Sequence, residues 1–196
     1  MEDQGRDRRA VHAPNDNFRP SFDADAPVDA HARPKVDYLT ENEVMKLVAG
    51  ARASRNAERD QLPIFMLFRH GYRESELIMT RRNWIDLQKA VIWIERLKRG
   101  MSRYHPLAGD ELRRMRKYLR SREDDLPWLF VSERCQPLSP RSVRRIVADA
   151  AKTANLQHVH PHMLRHSCGF HLRERGHDIR MIQEYLGHAS ITSTQL

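Results

Sequence analysis

The hydrophobic pattern changes character along the chain. Residues 1 to 36 hold Pro14, Pro20, Pro27 and Pro34 among alternating Asp, Arg, Ala and His, with no apolar run at a helical or strand period. Such a stretch cannot bury enough surface to offset the entropy of ordering, and a flexible arm is expected there. Periodicity starts at Thr40. The T-x-x-E pattern from Thr40 to Glu43 is a capping box, and Val44, Leu47, Val48 and Ala51 follow on one helical face. From about 57 to 70 the apolar positions thicken to Leu62, Ile64, Phe65, Leu67 and Phe68, which predicts a buried helix opened or kinked at Pro63, a residue with no N–H to give. A short helix from Glu74 to Met79 is expected after Gly71.

Alternation then takes over. AVIWIE (90 to 95) and SRYHPL (102 to 107) flank Arg99-Gly100 and predict a hairpin with Lys98 near its tip. A helical period returns over about 109 to 121, with Leu112, Met115 and Leu119 as the inner stripe. LPWLFVS (126 to 132) reads as a further short strand. Ser139 as N-cap and Pro140 at the first helical position open a helix through Val143, Ile146 and Val147. Two more helices are expected, one from about Pro161 to Arg175 closed by Gly176 and one from Asp178 to Gly187, with a third starting near Ser190. The fold class is therefore mixed, mainly α with a small antiparallel sheet. It occupies one domain, residues 37 to 196, behind the arm of residues 1 to 36.

Charge narrows the range of partners. The 196 residues carry 34 Lys and Arg against 26 Asp and Glu, a formal net charge of +8, which favours a polyanion. Two helices concentrate it: Arg113, Arg116 and Lys117 on one outer face, Arg141, Arg144 and Arg145 on another. These are candidate contacts to a nucleic-acid backbone, where cations position a protein more than they specify a sequence. The alternative is an ordinary solvated face.

Two cysteines, Cys135 and Cys168, are too few for a disulfide framework or a thiolate cluster, which fits a reducing cytoplasm. No stretch approaches 18 apolar residues and the start MEDQGRDRRA lacks a signal-peptide core, so no membrane association is expected. Seven of the eleven histidines fall between 158 and 188, which raises a zinc-binding alternative. His162 and His166 have the i, i+4 spacing of H-E-x-x-H helices. However, Met163 stands where that motif has its Glu, and no third ligand is evident, so no metal or other cofactor is expected.

Four short segments place phosphate-seeking or proton-transferring groups beside structural breaks: GYRESEL (71 to 77), RLKRG (96 to 100), HPHMLRHSCG (160 to 169) and YLGH (185 to 188). Arg73 lies at a helix start, where a guanidinium fork can meet a phosphate; a surface ion pair with Glu74 or Glu76 is the plainer reading. His162 and Arg165 are three apart and share a helix face.

In order, residue type and spacing these segments resemble the catalytic boxes of the tyrosine recombinase, or phage integrase, family. RLKRG, HPHMLRHSCGF and IQEYLGH look most like the small recombinases that invert fimbrial promoter switches. The resemblance implies the tyrosine recombinase catalytic domain fold with a three-stranded antiparallel sheet, here lacking its C-terminal end. It implies site-specific DNA recombination through a 3′-phosphotyrosyl intermediate, no cofactor, double-stranded DNA as partner and a homo-tetramer on DNA for a complete protein. It also implies roles. Arg73 and Arg165 would clamp the phosphate, Lys98 would protonate the leaving 5′ oxygen, and His162 would accept the tyrosine proton. His188 would donate a hydrogen bond to the phosphate, Glu76 would position the others, and Arg99 would contact DNA. The resemblance also implies a nucleophilic tyrosine roughly nine residues after His188, just beyond Leu196, and none of the five tyrosines present matches its box. Residues 1 to 196 alone are therefore expected to be inactive in cleavage, and a catalytically silent DNA-binding relative is the alternative.

Overall fold

The computed structural model describes residues 37–97 and 100–187. The expected arm, Lys98, Arg99, His188 and the helix expected near Ser190 lie outside the described residues.

Helix α1 (Glu41–Gly50) starts on the capping box read from the sequence. The Thr40 hydroxyl accepts the Glu43 N–H at 3.3 Å, and the Glu43 carboxylate accepts the Thr40 N–H at 2.9 Å. A cap of this kind stabilises a helix by about 1 kcal/mol. Val44, Leu47 and Val48 pack inward against α2 (Ala57–His70) and α5 (Pro140–Thr153). Helix α2 runs through Pro63 without breaking, and Leu62, Ile64, Phe65, Met66 and Leu67 are all fully buried. A helix buried on every side reads as apolar all round, and α2 is the axis of the core. It ends on Gly71 in the left-handed region, φ 58°, and the chain turns directly into α3 (Glu74–Ile78).

Three short strands follow, β1 (Ile85–Asp86), β2 (Val91–Ile94) and β3 (Arg103–Pro106), in the order β1-β2-β3 and antiparallel throughout. Ile92 pairs with His105 and Trp93 with Tyr104, so the period of two sends Ile92, Ile94 and His105 inward and the Trp93–Tyr104 pair outward.

The expected strand over 126 to 132 does not form. That segment makes only isolated bridges, Arg81 with Trp128 and Val131 with Pro137, and the third strand is Ile85–Asp86 instead. Pro127 has no N–H for a ladder. Its carbonyl accepts the Arg82 N–H, while Leu129 and Phe130 plug the core. Helix α4 (Gly109–Arg120) also differs from expectation. Leu112 and Leu119 are half-buried, and the fully inward residues are Glu111, Met115 and Tyr118.

Helix α5 opens on Ser139, whose hydroxyl accepts the Ser142 N–H, with Pro140 at its first turn. Helix α6 (Pro161–Glu174) crosses α2, and α7 (Ile179–Leu186) is fastened to it by a small cluster of Cys168, Ile182 and Leu186 with Leu172 and Tyr185 alongside. This packing brings the end of α7 to the turn between α2 and α3.

Candidate active site

The turn Gly71–Tyr72–Arg73 and the first turn of α3 form the floor of the candidate site. Arg73 is the N-cap of α3. Its backbone N–H donates to Glu76 Oε2 at 3.0 Å and its Nη1 donates to Glu76 Oε1 at 2.6 Å. The sequence allowed a surface ion pair here. The observed pair is of another kind, since the Glu76 side chain is 0% exposed and that of Arg73 27%. Arg73 is therefore anchored on a buried carboxylate while its own side chain stays partly exposed.

Two further N–H groups converge on Glu76. Arg96 Nη1 donates to Oε2 at 2.9 Å and the Leu97 N–H to Oε1 at 3.2 Å, so each carboxylate oxygen accepts two bonds. Burial pushes the Glu76 pKa up. The Arg73 N–H bond, the Arg96 charge and the bonds from both guanidiniums outweigh it, and the carboxyl is held below its ordinary range.

Arg165, on α6, is buried beside this turn. Its guanidinium donates to the carbonyl oxygen of Gly71 through Nη1 and to that of Leu186 through Nη2 at 2.8 Å. The Leu186 carbonyl belongs to the last turn of α7, where the helix itself offers no partner. Burial, then the nearby positive charges of Arg73 and Arg96, lower the Arg165 pKa to about 9, which leaves it charged at neutral pH. A phosphate arriving between these cations would be met by charge already desolvated and oriented.

His162 lies one turn before Arg165 on α6 but is exposed, its ring edge-to-face with His166 at 4.5 Å between centroids. Partial burial first, then the charges of His166, Arg165 and His160, lower its pKa. Such an imidazole is neutral at pH 7 and able to accept a proton. His160 and His166 face Asp37 at 3.5 and 3.9 Å. Among the described residues no group of three His, Cys, Asp or Glu side chains is placed to hold a metal ion.

The remaining candidates are spread over other surfaces. Arg113 and Lys117 line a cleft of about 480 Å³ with Arg52 and Arg114, and Lys117 pairs with Glu58. Arg116 donates to the Leu87 carbonyl. On α5, Arg141 is exposed, Arg144 pairs with Glu74 at 3.2 Å, and Arg145 lines a separate cleft of about 870 Å³ with Arg55, Arg59 and Arg134.

Sequence reasoning missed two groups. Arg96 is the innermost cation of the site, and the strand period could have found it, because it continues the inward series Ile92, Ile94, Arg96. The second is a buried polar cluster under the sheet. His70 Nε2 meets Glu111 Oε1 at 2.8 Å, His70 Nδ1 meets His105 Nδ1 at 3.3 Å, and the His105 ring lies 4.0 Å from that of Tyr185. Burial, then the neighbouring charge on His70, pushes His105 down to about 2. His105 follows the strand period inward, but nothing local in the sequence shows that it meets His70 and Glu111.

The model of the phage integrase family matches residues 37–196. The chain belongs to the phage integrase family. Within it, the chain is 38% identical over 165 residues to the type 1 fimbriae regulatory protein FimB of Escherichia coli (strain K12), covering 82% of each. The XerA recombinase crystal structure superposes with a TM-score of 0.72 at 32% identity, over 81% of this chain and 58% of that one. XerH site-specific recombinase bound to difH substrate shares the fold, with a TM-score of 0.69 at 22% identity over 80% of this chain and 48% of that one. The chain thus spans most of its fimbrial relative and about half of the two recombinase structures. Among the described residues the integrase domain is mainly helical with a three-stranded antiparallel sheet.

Proposed function

We propose that this chain supplies the phosphate-activating domain of a site-specific recombinase that cuts and rejoins double-stranded DNA. The observation that carries this reading is the meeting of Arg73 and Arg165 around the Gly71–Glu76 turn, one held by a buried carboxylate and the other by two carbonyls. The fimbrial and Xer relatives support it.

In the proposed reaction a tyrosine hydroxyl attacks the scissile phosphorus, the bond to the 5′ oxygen breaks, and the phosphate remains on the protein as a 3′-phosphotyrosine. The tyrosine proton passes to His162, which is neutral at pH 7. Lys98 returns a proton to the departing 5′ oxygen. Arg73 and Arg165 neutralise the non-bridging oxygens as charge grows on them, and His188 adds a hydrogen bond. The bond energy is kept in the phosphotyrosyl link, so resealing needs no nucleotide. In the complete protein the working assembly is a homo-tetramer on DNA, acting in the cytoplasm. Arg99, Arg113, Arg116, Lys117, Arg141, Arg144 and Arg145 are assigned to backbone contacts.

None of the five tyrosines in the sequence matches the nucleophile box that the family resemblance implies. Tyr118 and Tyr185 donate to the carbonyls of Leu129 and Arg69, and burial raises both hydroxyl pKa values. Tyr72 is buried, Tyr38 stacks on Phe170, and Tyr104 lies on the outer face of the sheet. None of these five is assigned as the nucleophile of the proposed reaction.

The deciding experiment is covalent trapping on a nicked duplex carrying the cognate site, read by denaturing electrophoresis. The complete protein is expected to give a 3′ adduct in the presence of EDTA. Arg73→Ala and Arg165→Ala are expected to lose about 10² to 10³ in rate while keeping most of the DNA affinity. Metal-dependent cleavage, or full activity in either variant, would overturn the assignment. An adduct formed by the 196-residue chain would make Tyr185 the next residue to replace.

A further inference from the structure

Arg96 is buried at the end of β2 with a side-chain exposure of 0%. Its four Nη hydrogens are matched by four acceptors: Glu76 Oε2 at 2.9 Å, the Gly71 carbonyl at 3.0 Å, the His70 carbonyl at 2.7 Å and the Tyr185 carbonyl at 2.8 Å. Only its Nε, itself buried, has no partner among the described residues. A guanidinium saturated in this way has no pair of donors left to fork onto a phosphate. Its acceptors are what distinguish it. Glu76 also holds Arg73, and the Gly71 carbonyl also holds Arg165.

The chain around Arg96 is equally constrained. A Cβ on Gly187 would lie 2.8 Å from Arg96 Cγ, and a Cβ on Gly100 would lie 2.7 Å from the Gly187 carbonyl oxygen and 2.8 Å from Arg96 Cβ. The base of the hairpin, the Arg96 stem and the residue that closes α7 are therefore in direct contact. Leu97 donates its N–H to Glu76 at 3.2 Å, immediately before Lys98. Gly187 immediately precedes His188.

We infer that Arg96 is a positioning residue: its saturated guanidinium fixes the Glu76 carboxylate and the Gly71 carbonyl that hold Arg73 and Arg165, and joins the segments leading into Lys98 and His188. The inference rests on the recombinase reading of the site. Replacement of a buried, fully bonded arginine by lysine keeps the charge but has three donors in place of five and no planar fork. Arg96→Lys should therefore leave the DNA contacts in place and loosen the phosphate clamp.

Two measurements test this separately. In the complete protein, Arg96→Lys and Arg96→Gln are expected to slow single-turnover cleavage at saturating DNA by about 100-fold while the dissociation constant stays within about threefold. In a double-mutant cycle with Glu76→Gln, the combined loss is expected to fall short of the product of the single losses by at least about tenfold, because both substitutions disturb the same carboxylate. Cleavage within threefold of the parent in folded Arg96→Lys, or strictly multiplicative losses, would overturn the inference. If Arg96→Lys does not fold, Arg96→Gln in the Glu76→Gln background leaves no unpaired buried carboxylate and supplies the deciding comparison.

The second measurement needs no cleavage. In the 196-residue chain with 15N-labelled arginine, the Arg73 guanidinium resonances are expected to show restricted rotation in the parent and free rotation in Arg96→Lys, both read well below the melting temperature of the variant. Unchanged Arg73 resonances would sink the positioning role whatever the activity. Absence of cleavage by the parent would sink only the recombinase reading.

Discussion

Glu76 bonds Arg73 twice across a single helical turn, accepting its backbone N–H through one carboxylate oxygen and its guanidinium through the other. The same carboxylate caps α3 and aims a cation, so the stability of that helix end and the direction of Arg73 depend on one charge.

This coupling makes a stability prediction with a definite sign. The folded Glu76 pKa lies below the ordinary glutamate value of about 4.3. Below that value the unfolded chain binds a proton that the folded chain resists, so stability falls as pH drops. The contribution is complete above about pH 4.3 and is lost as pH falls through the folded value. Glu76→Gln is expected to cost about 3 to 5 kcal/mol at pH 7, since it leaves Arg96 buried without its counter-charge. The gap to the parent should narrow toward pH 3. Urea unfolding of both proteins at pH 7 and pH 3.5 checks this, and a constant gap would show that the Glu76 charge does not carry the effect.

His162 makes a prediction about the acid side of the pH profile. Its pKa lies below 6.5 through partial burial and then through the charges of His166, Arg165 and His160. Removing His166 takes away the first of those charges, and His166→Ala is expected to raise the His162 pKa. The acid limb of cleavage in a complete protein should move to higher pH with it. Proton NMR titration of the His162 ring gives the direction, and a fall would refute this account.

Gly71 makes a conformational prediction. Its φ of 58° is one that L side chains rarely adopt, and a Cβ there would collide with the Leu186 side chain and approach Cys168 Sγ at 3.4 Å. Gly71→Ala is expected to destabilise the fold by more than about 1 kcal/mol. It should also displace the carbonyl that Arg96 and Arg165 share. A melting temperature equal to that of the parent would contradict the tight approach of α7 to this turn.

Salt dependence tests the basic surfaces. Each neutralised phosphate should contribute about −0.9 to the slope of log K against log salt. Replacing Arg113, Arg116 and Lys117 together with alanine is expected to shallow that slope by about 1 to 2, less than three full contacts, because Lys117 is already paired with Glu58. Fluorescence anisotropy over a salt series reads it. A slope unchanged by the triple substitution would remove α4 from the DNA surface.

Much of this molecule was legible in one dimension wherever a local rule decides the outcome. The Thr40–Glu43 capping box, the Ser139–Pro140 helix start and the alternation of β2 and β3 all act over a few residues, and each appears where the pattern places it. The family resemblance named Arg73, Glu76, His162 and Arg165, and the fold brings Arg73, Glu76 and Arg165 into one bonded group. What escaped depends on distant partners. LPWLFVS has strand composition, yet it meets no partner strand and serves as a core plug. Ile85–Asp86 is too short for any period. Arg96 is one of several neighbouring basic residues; the strand period points it inward, but its role follows only from four acceptors at the end of α2, on α3 and on α7.

The closing turn of α7 has a consequence for the timing of motion in the domain. Its carbonyls at Tyr185 and Leu186 each receive a guanidinium, Arg96 and Arg165 respectively, at the negative end of the helix dipole. Fraying of that turn, ordinarily the cheapest fluctuation a helix end can make, here also releases two cations from their acceptors. Amide exchange at the end of α7 should therefore be slow for a terminal turn, and should follow the same opening event as exchange around Gly71.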